Sequence, residues 1–157
     1  MPTGQWLYKS REGPSTYDND GLTAHFEVPE REIWHVLSIW IEYTASDTVA
    51  TRAVRVVIED ADSDIMLEIA PGVTVTASQQ RDFLFAPGAP DLTAARDTDL
   101  ITTPLPDGLI LRPGWDIHLI EQSSGDTTDS EIMLGQLVYA SWNILSTAGG
   151  TPNTTDN

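Results

Sequence analysis

Apolar positions in this chain come in short runs, many of them alternating with polar ones, and Pro, Gly, Asp and Asn separate the runs. Residues 52–59 show the pattern most clearly. Val54, Val56 and Ile58 fall on one side, and Arg55, Val57 and Glu59 on the other, which is the period of a half-buried strand. The same reading predicts strands at 24–28, 33–44, 65–70, 73–77, 83–86, 100–105, 109–111, 115–121 and 132–145. The turns Pro87-Gly88, Pro106-Asp107-Gly108 and Pro113-Gly114 punctuate the middle of the chain. Proline presets φ and removes a donor, and glycine admits positive φ, so each pair ends one extended run and starts another. No long helical period is present. Residues 89–98 suit at most one helical turn, capped by Asp91. Many short strands at close spacing predict a sandwich or barrel rather than alternating β/α units.

Two segments break the simple pattern. In 33–44 the odd positions are Ile33, His35, Leu37, Ile39, Ile41 and Tyr43, and the even ones include Trp34, Val36 and Trp40. Both faces of that strand are apolar, as are both faces of 132–145. A strand with one wet face alternates, so the second face calls for a cover, either from the chain itself or from another subunit. Residues 1–21 read as an irregular arm with little periodicity, yet they carry Trp6, Leu7, Tyr8 and Tyr17. Such an arm is expected to lie against its own domain or a neighbour. The domain reading is therefore an arm at 1–21, a β-sandwich at 22–146 and a small, polar, flexible tail at 147–157.

Length and charge narrow the function. A chain of 157 residues suits one domain with a real core. It has no cysteine, which excludes a disulfide scaffold and a thiolate metal site. Its formal net charge is −16, with Lys9 and seven arginines as the cations. A phosphate backbone is held by cationic groups that displace its counterions, so no nucleic-acid partner is expected. No run approaches the length of a membrane helix, and the first residues show no basic stretch followed by an apolar one.

Candidate chemistry is sparse. Asp60-x-Asp62-x-Asp64 starts like a calcium loop, but Ile65 and Pro71 stand where such a loop has its glycine and its bidentate glutamate. A hairpin turn is the better reading. Asp18-x-Asp20 and the acidic run 126–131 read as turns and loops. His25, His35 and His118 lie on separate strands without zinc spacing. Asp116 and His118 share a strand face, and a serine such as Ser141 would complete a triad beside them, but no nucleophile elbow is present. No catalytic residue, cofactor or metal ligand is assigned, and an enzyme is not expected. The tryptophans leave a carbohydrate-binding β-sandwich open as an alternative of another class.

The C-terminal half carries a resemblance. Pro71-Gly72-Val73-Thr74, Phe85-Ala86-Pro87-Gly88, Pro104-Leu105-Pro106 and, above all, Leu111-Arg112-Pro113-Gly114-Trp115-x-Ile117 with a following acidic loop resemble small structural proteins of tailed bacteriophages. The resemblance implies an antiparallel jelly-roll-like β-sandwich and a role in the virion. Virion proteins of this kind serve as capsid decoration (cement) proteins, head-tail connectors, or tail and fibre parts. The acidic, cysteine-free chain, the strands apolar on both faces and the aromatic arm favour a cement protein that binds the major capsid protein, with a head-tail connector, tail or fibre component as the alternative. A homo-oligomer, with a trimer favoured, on the capsid surface and assembled in the bacterial cytoplasm completes that expectation. Trp6, Leu7, Tyr8, Tyr17, Trp34 and Trp40 are the expected interface residues.

Overall fold

The computed structural model describes residues 6–13, 16–18, 21–91, 99–124 and 132–144. Of the helical turn read at 89–98, residues 92–98 lie outside them, as do the acidic loop at 126–131 and the tail at 147–157. The described residues form twelve strands and no helix: β1 (Leu7–Gly13), β2 (Thr16–Asp18), β3 (Gly21–Glu27), β4 (Glu32–Thr44), β5 (Thr51–Glu59), β6 (Ile65–Ile69), β7 (Thr74–Val75), β8 (Gln80–Pro87), β9 (Leu100–Leu105), β10 (Ile110–Leu111), β11 (Asp116–Ser124) and β12 (Ile132–Asn143).

They build two six-stranded sheets. The first runs β1-β12-β4-β8-β9 with β10 also on β4, and the second runs β2-β3-β11-β5-β6 with β7 also on β5. All pairings are antiparallel except β8 with β9. The order has a simple logic. β1 pairs with β12, β3 with β11, β4 with β8 and β5 with β6. These are the rungs of one long two-stranded ribbon. Winding the ribbon brings β12 beside β4 and β11 beside β5, which is the jelly roll. The fold is thus an all-β jelly-roll sandwich.

The ten strands β3 to β12 fall where the apolar periodicity places them. The turn glycines Gly88, Gly108 and Gly114 all adopt positive φ. Asp60 Oδ1 accepts the N–H of Asp62 at 2.9 Å and of Asp64 at 3.0 Å, so the carboxylate triplet closes the β5–β6 hairpin. Between the sheets lie Trp34, Phe26, Phe83, Phe85, Ile39, Ile41, Ile58, Leu111 and Ile117, all shut off from solvent. Each contributes about 1.5–3 kcal/mol by leaving water, against about 0–1 kcal/mol for an exposed ion pair such as Arg55–Glu68. The core, not the surface charge, holds the sandwich together. Arg52 is also fully buried; its guanidinium donates to Ser46 Oγ and to the carbonyls of Thr48 and Ala50, which pins the turn between β4 and β5.

Two expectations change. The segment read as an irregular arm contains β1 and β2, and β1 runs along β12 for its whole length, from Leu7 opposite Ser141 to Gly13 opposite Gly135. Its sequence hides the strand because the inward positions hold Lys9 and Arg11. Inward charges on an edge strand discourage pairing with a further chain, and Pro104 in β9 has the same effect at the opposite edge. Lys9 Nζ lies 2.8 Å from Glu32 Oε1, and the Arg11 guanidinium sits 5.9 Å above the Trp34 ring.

The second change concerns the strand with two apolar faces. Val138 lies opposite Ser38 but Tyr139 opposite Val36, so Leu37 is an extra residue in β4. Such a bulge reverses the alternation. Trp34 and Val36 point inward before it, and Ile39, Ile41 and Tyr43 after it. The strand therefore has one continuous core face, assembled from even positions and then odd ones.

Candidate docking face

The bulge also defines what remains outside. Register places Trp142 and Ile33 in one outward row, Tyr8, Ala140, His35 and Ile110 in the next, and Ser10, Val138 and Ser38 in the third. Beyond them come Glu12, Gln136, Trp40, Leu84 and Thr102, and then Leu134, Glu42, Asp82 and Leu100. This face crosses β1, β12, β4, β10, β8 and β9. Trp6, just ahead of β1, meets Trp142 at 5.6 Å and His35 at 6.2 Å between ring centroids. Tyr8 is 79% exposed, and Trp6, Ile110 and Leu134 are each at least 38% exposed. Scattered exposed apolar residues are ordinary, but a contiguous set marks a contact surface.

The expected interface residues divide accordingly. Trp6, Tyr8 and Trp40 lie on this face. Leu7 is 45% exposed at the edge, where its partner Ser141 points inward. Tyr17 pairs through its backbone with Leu22, and its side chain lies outside the described residues. Trp34 is a correction. It is 0% exposed, packs on Tyr139 at 4.2 Å, and donates Nε1–H to Glu32 Oε2 at 2.7 Å. It belongs to the core because it precedes the bulge, on the inward half of the alternation. Trp142, Ile110, Glu42 and Asp82 join the face through register, which a single sequence does not display.

Charge on this face is one-sided. Its outward positions hold Glu12, Glu42 and Asp82, and none of them is lysine or arginine. Glu42 and Asp82 are directly opposed across β4 and β8. Burial, and then the charges of Glu42 and Asp99, raise the Asp82 carboxyl above its ordinary value. Arg81, the residue before Asp82, is engaged with Asp99 at 3.2 Å. Glu32, on the inner side, behaves oppositely. Burial raises its carboxyl, but hydrogen bonds from Lys9 and Trp34, with the charges of Lys9 and Arg11, outweigh that and hold it low.

The second sheet holds His25, His118, Asp116 and Glu59. His25 and His118 stack at 5.9 Å, and His118 Nε2 lies 3.6 Å from Glu59 Oε2. Ser141 is buried in the other sheet, so Asp116, His118 and Ser141 are not brought together. Among the described residues no group of three or more His, Asp or Glu side chains is arranged to hold a metal ion.

No protein-family model matches this chain. No curated protein sequence matches it either. Among solved structures, that of infectious bursal disease virus Gx strain aligns with a TM-score of 0.37 at 10% identity, over 92% of this chain and 36% of that one. The Gt strain gives 0.33 at 9% identity, over 91% and 33%. The crystal structure of the T13 particle of the same virus gives 0.32 at 8% identity, over 90% and 36%. The chain spans about a third of the length of those chains.

Proposed function

We propose that this chain is a non-enzymatic structural protein of a virion that docks on a shell through the outer face of its first sheet. At its finest, the reading is a capsid cement protein of a tailed bacteriophage, bound to the major capsid protein at the capsid surface. It would work as a homo-oligomer, with a trimer favoured, and assemble in the bacterial cytoplasm. The observation that carries it is the outward face on which exposed Trp6, Tyr8, Ile110 and Leu134 share rows with half-buried Trp142 and Trp40, on a sandwich whose core is already closed. Burying such a surface against a partner stabilises association at about 25 cal/mol per Å² of apolar area. The resemblance of the turn-and-strand motifs to phage structural proteins supports the same reading.

The carbohydrate alternative fares worse on geometry. A sugar ring stacks on a flat aromatic platform, whereas Trp6 is tilted 58° to Trp142 and 69° to His35. The test is co-sedimentation of the full chain with purified shells of the major capsid protein that lack it. Near-stoichiometric binding is expected, and Tyr8→Asp should weaken it at least about tenfold by burying an unpaired charge. Truncation of residues 1–21 is a poorer probe, because it also removes β1 from the sheet. Absence of wild-type binding, or binding unaffected by Tyr8→Asp, would sink the proposal.

A further inference from the structure

Of the surfaces of this molecule, the outer face of the first sheet combines the most specific chemistry. One part is aliphatic and aromatic: Trp40, Leu84 and Leu134, with Leu100 beyond. Set into it are Glu42 and Asp82, side by side on neighbouring strands. Residues directly opposed across antiparallel strands have Cβ atoms about 4.5–5.5 Å apart, and like charges there oppose folding. The cost is kept even though polar alternatives such as Gln80 and Thr44 occupy the next row. Gln80 Nε2 donates to Glu42 Oε1 at 3.3 Å, a neutral contact that leaves both negative charges in place. Arg81 is turned to Asp99.

We infer that this end of the face binds a basic–apolar segment of a partner protein, with a lysine or arginine seated over Glu42 and Asp82 and adjacent apolar side chains lying on Trp40, Leu84 and Leu134. Charge complementarity selects this occupant. A second copy of a chain of net charge −16 would bring more negative charge to a face whose described outward positions hold no lysine or arginine. A guanidinium or ammonium relieves the opposed carboxylates and donates hydrogen bonds to both. The raised Asp82 carboxyl agrees, since a cation placed there would return it toward its ordinary value. The apolar neighbours exclude water from the pair and strengthen it. The inference deepens the docking proposal and rests on it for the identity of the face, but not for the chemistry of the segment.

The experiment uses the immobilised full chain and a displayed library of short random peptides. Enriched peptides should place a lysine or arginine beside aromatic or aliphatic residues. A synthetic copy of the leading peptide should lose about tenfold or more in affinity on Glu42→Gln/Asp82→Asn, and a similar amount on Trp40→Ala. Its affinity should also fall with added salt. Both carboxylate replacements are near-isosteric and relieve repulsion, so the double variant stays folded; thermal melting checks this. Enriched peptides without a basic residue, equal binding to the double variant, or displacement of the peptide by millimolar calcium would overturn the inference. Shell co-sedimentation separates the two proposals. Wild-type binding retained in the double variant overturns this inference and leaves the docking reading standing. Failure of the wild type to bind shells, with peptide recognition intact, removes the docking reading alone.

Discussion

Gly135 offers a sharp test of how closely the two sheets approach. It lies in β12, between the inward-facing Met133 and Leu137, and it is buried. A Cβ added there runs into Leu119 Cδ1 of the opposite sheet and comes within 3.5 and 3.6 Å of two Phe26 ring atoms. Leu119 is 0% exposed and Phe26 1%, so neither has solvent to retreat into. Gly135→Ala must push Leu119 off its rotamer or part the sheets, and overpacking of this kind costs about 1–3 kcal/mol. Replacing a strand glycine returns roughly 0.5–1 kcal/mol of chain entropy. The net expectation is a loss of about 1–2 kcal/mol, which lowers Tm by roughly 2–8 °C in a domain of this size. Urea unfolding followed by tryptophan fluorescence measures it, with the m-value unchanged. Leu119→Val frees space at the same spot, so the double variant should lose less than the sum of the single losses, by about 0.5 kcal/mol or more. A Gly135→Ala variant as stable as the wild type, or strictly additive losses, would refute the close approach.

Two further outcomes follow from the charged groups. Glu32→Gln removes the charge-assisted bond to Lys9 that ties β1 to β4, and should speed amide exchange in β1 while leaving β5 and β11 protected, at a cost of about 1.5–3 kcal/mol. Because the folded carboxyl is lowered, its contribution is complete above the ordinary glutamate range and is lost as pH falls through the folded value; β1 should therefore exchange faster in acid in the wild type but not in the variant. Asp82→Asn should raise stability at neutral pH by roughly 0.2–1 kcal/mol, through loss of the repulsion with Glu42. Here the folded carboxyl is raised, so the penalty is absent below the unfolded value and complete above the folded one. Melting curves of wild type and Asp82→Asn should converge as pH drops through that range, and a constant gap would contradict the assignment.

The strands of the sandwich were legible where alternation is unbroken, as at Val54, Val56 and Ile58, and where Pro-Gly pairs mark the turns. Legibility failed at β1, whose inward positions hold Lys9 and Arg11, so its apolar signal is absent even though its backbone is fully paired. It failed in β4 for a different reason. Parity arguments assume a strand without an extra residue, and Leu37 is one, so a strand with one wet face looked apolar on both. The docking face was half visible. Trp6, Tyr8 and Trp40 stood out as large apolar groups in unlikely places, but Trp34 carried the same signal and is core. Glu42 and Asp82 lie far apart in the chain, and only strand register makes them neighbours.

The rung between β1 and β12 sets an order of events. Leu7 finds its partner in Ser141 and Gly13 in Gly135, so the strand nearest the start of the ribbon waits for the strand at its other end. Pairings of such long sequence separation close late and fold slowly. Until β12 emerges from the ribosome, Trp6, Leu7 and Tyr8 have no sheet to join, and Trp34 lacks the Tyr139 ring that packs against it. During synthesis Trp6, Leu7 and Tyr8 thus stay without their sheet partners until the ribbon closes. A chain stopped before Gly135 lacks the strand on which β1 and β4 both pair, so the outer face of the first sheet is complete only once β12 has been made.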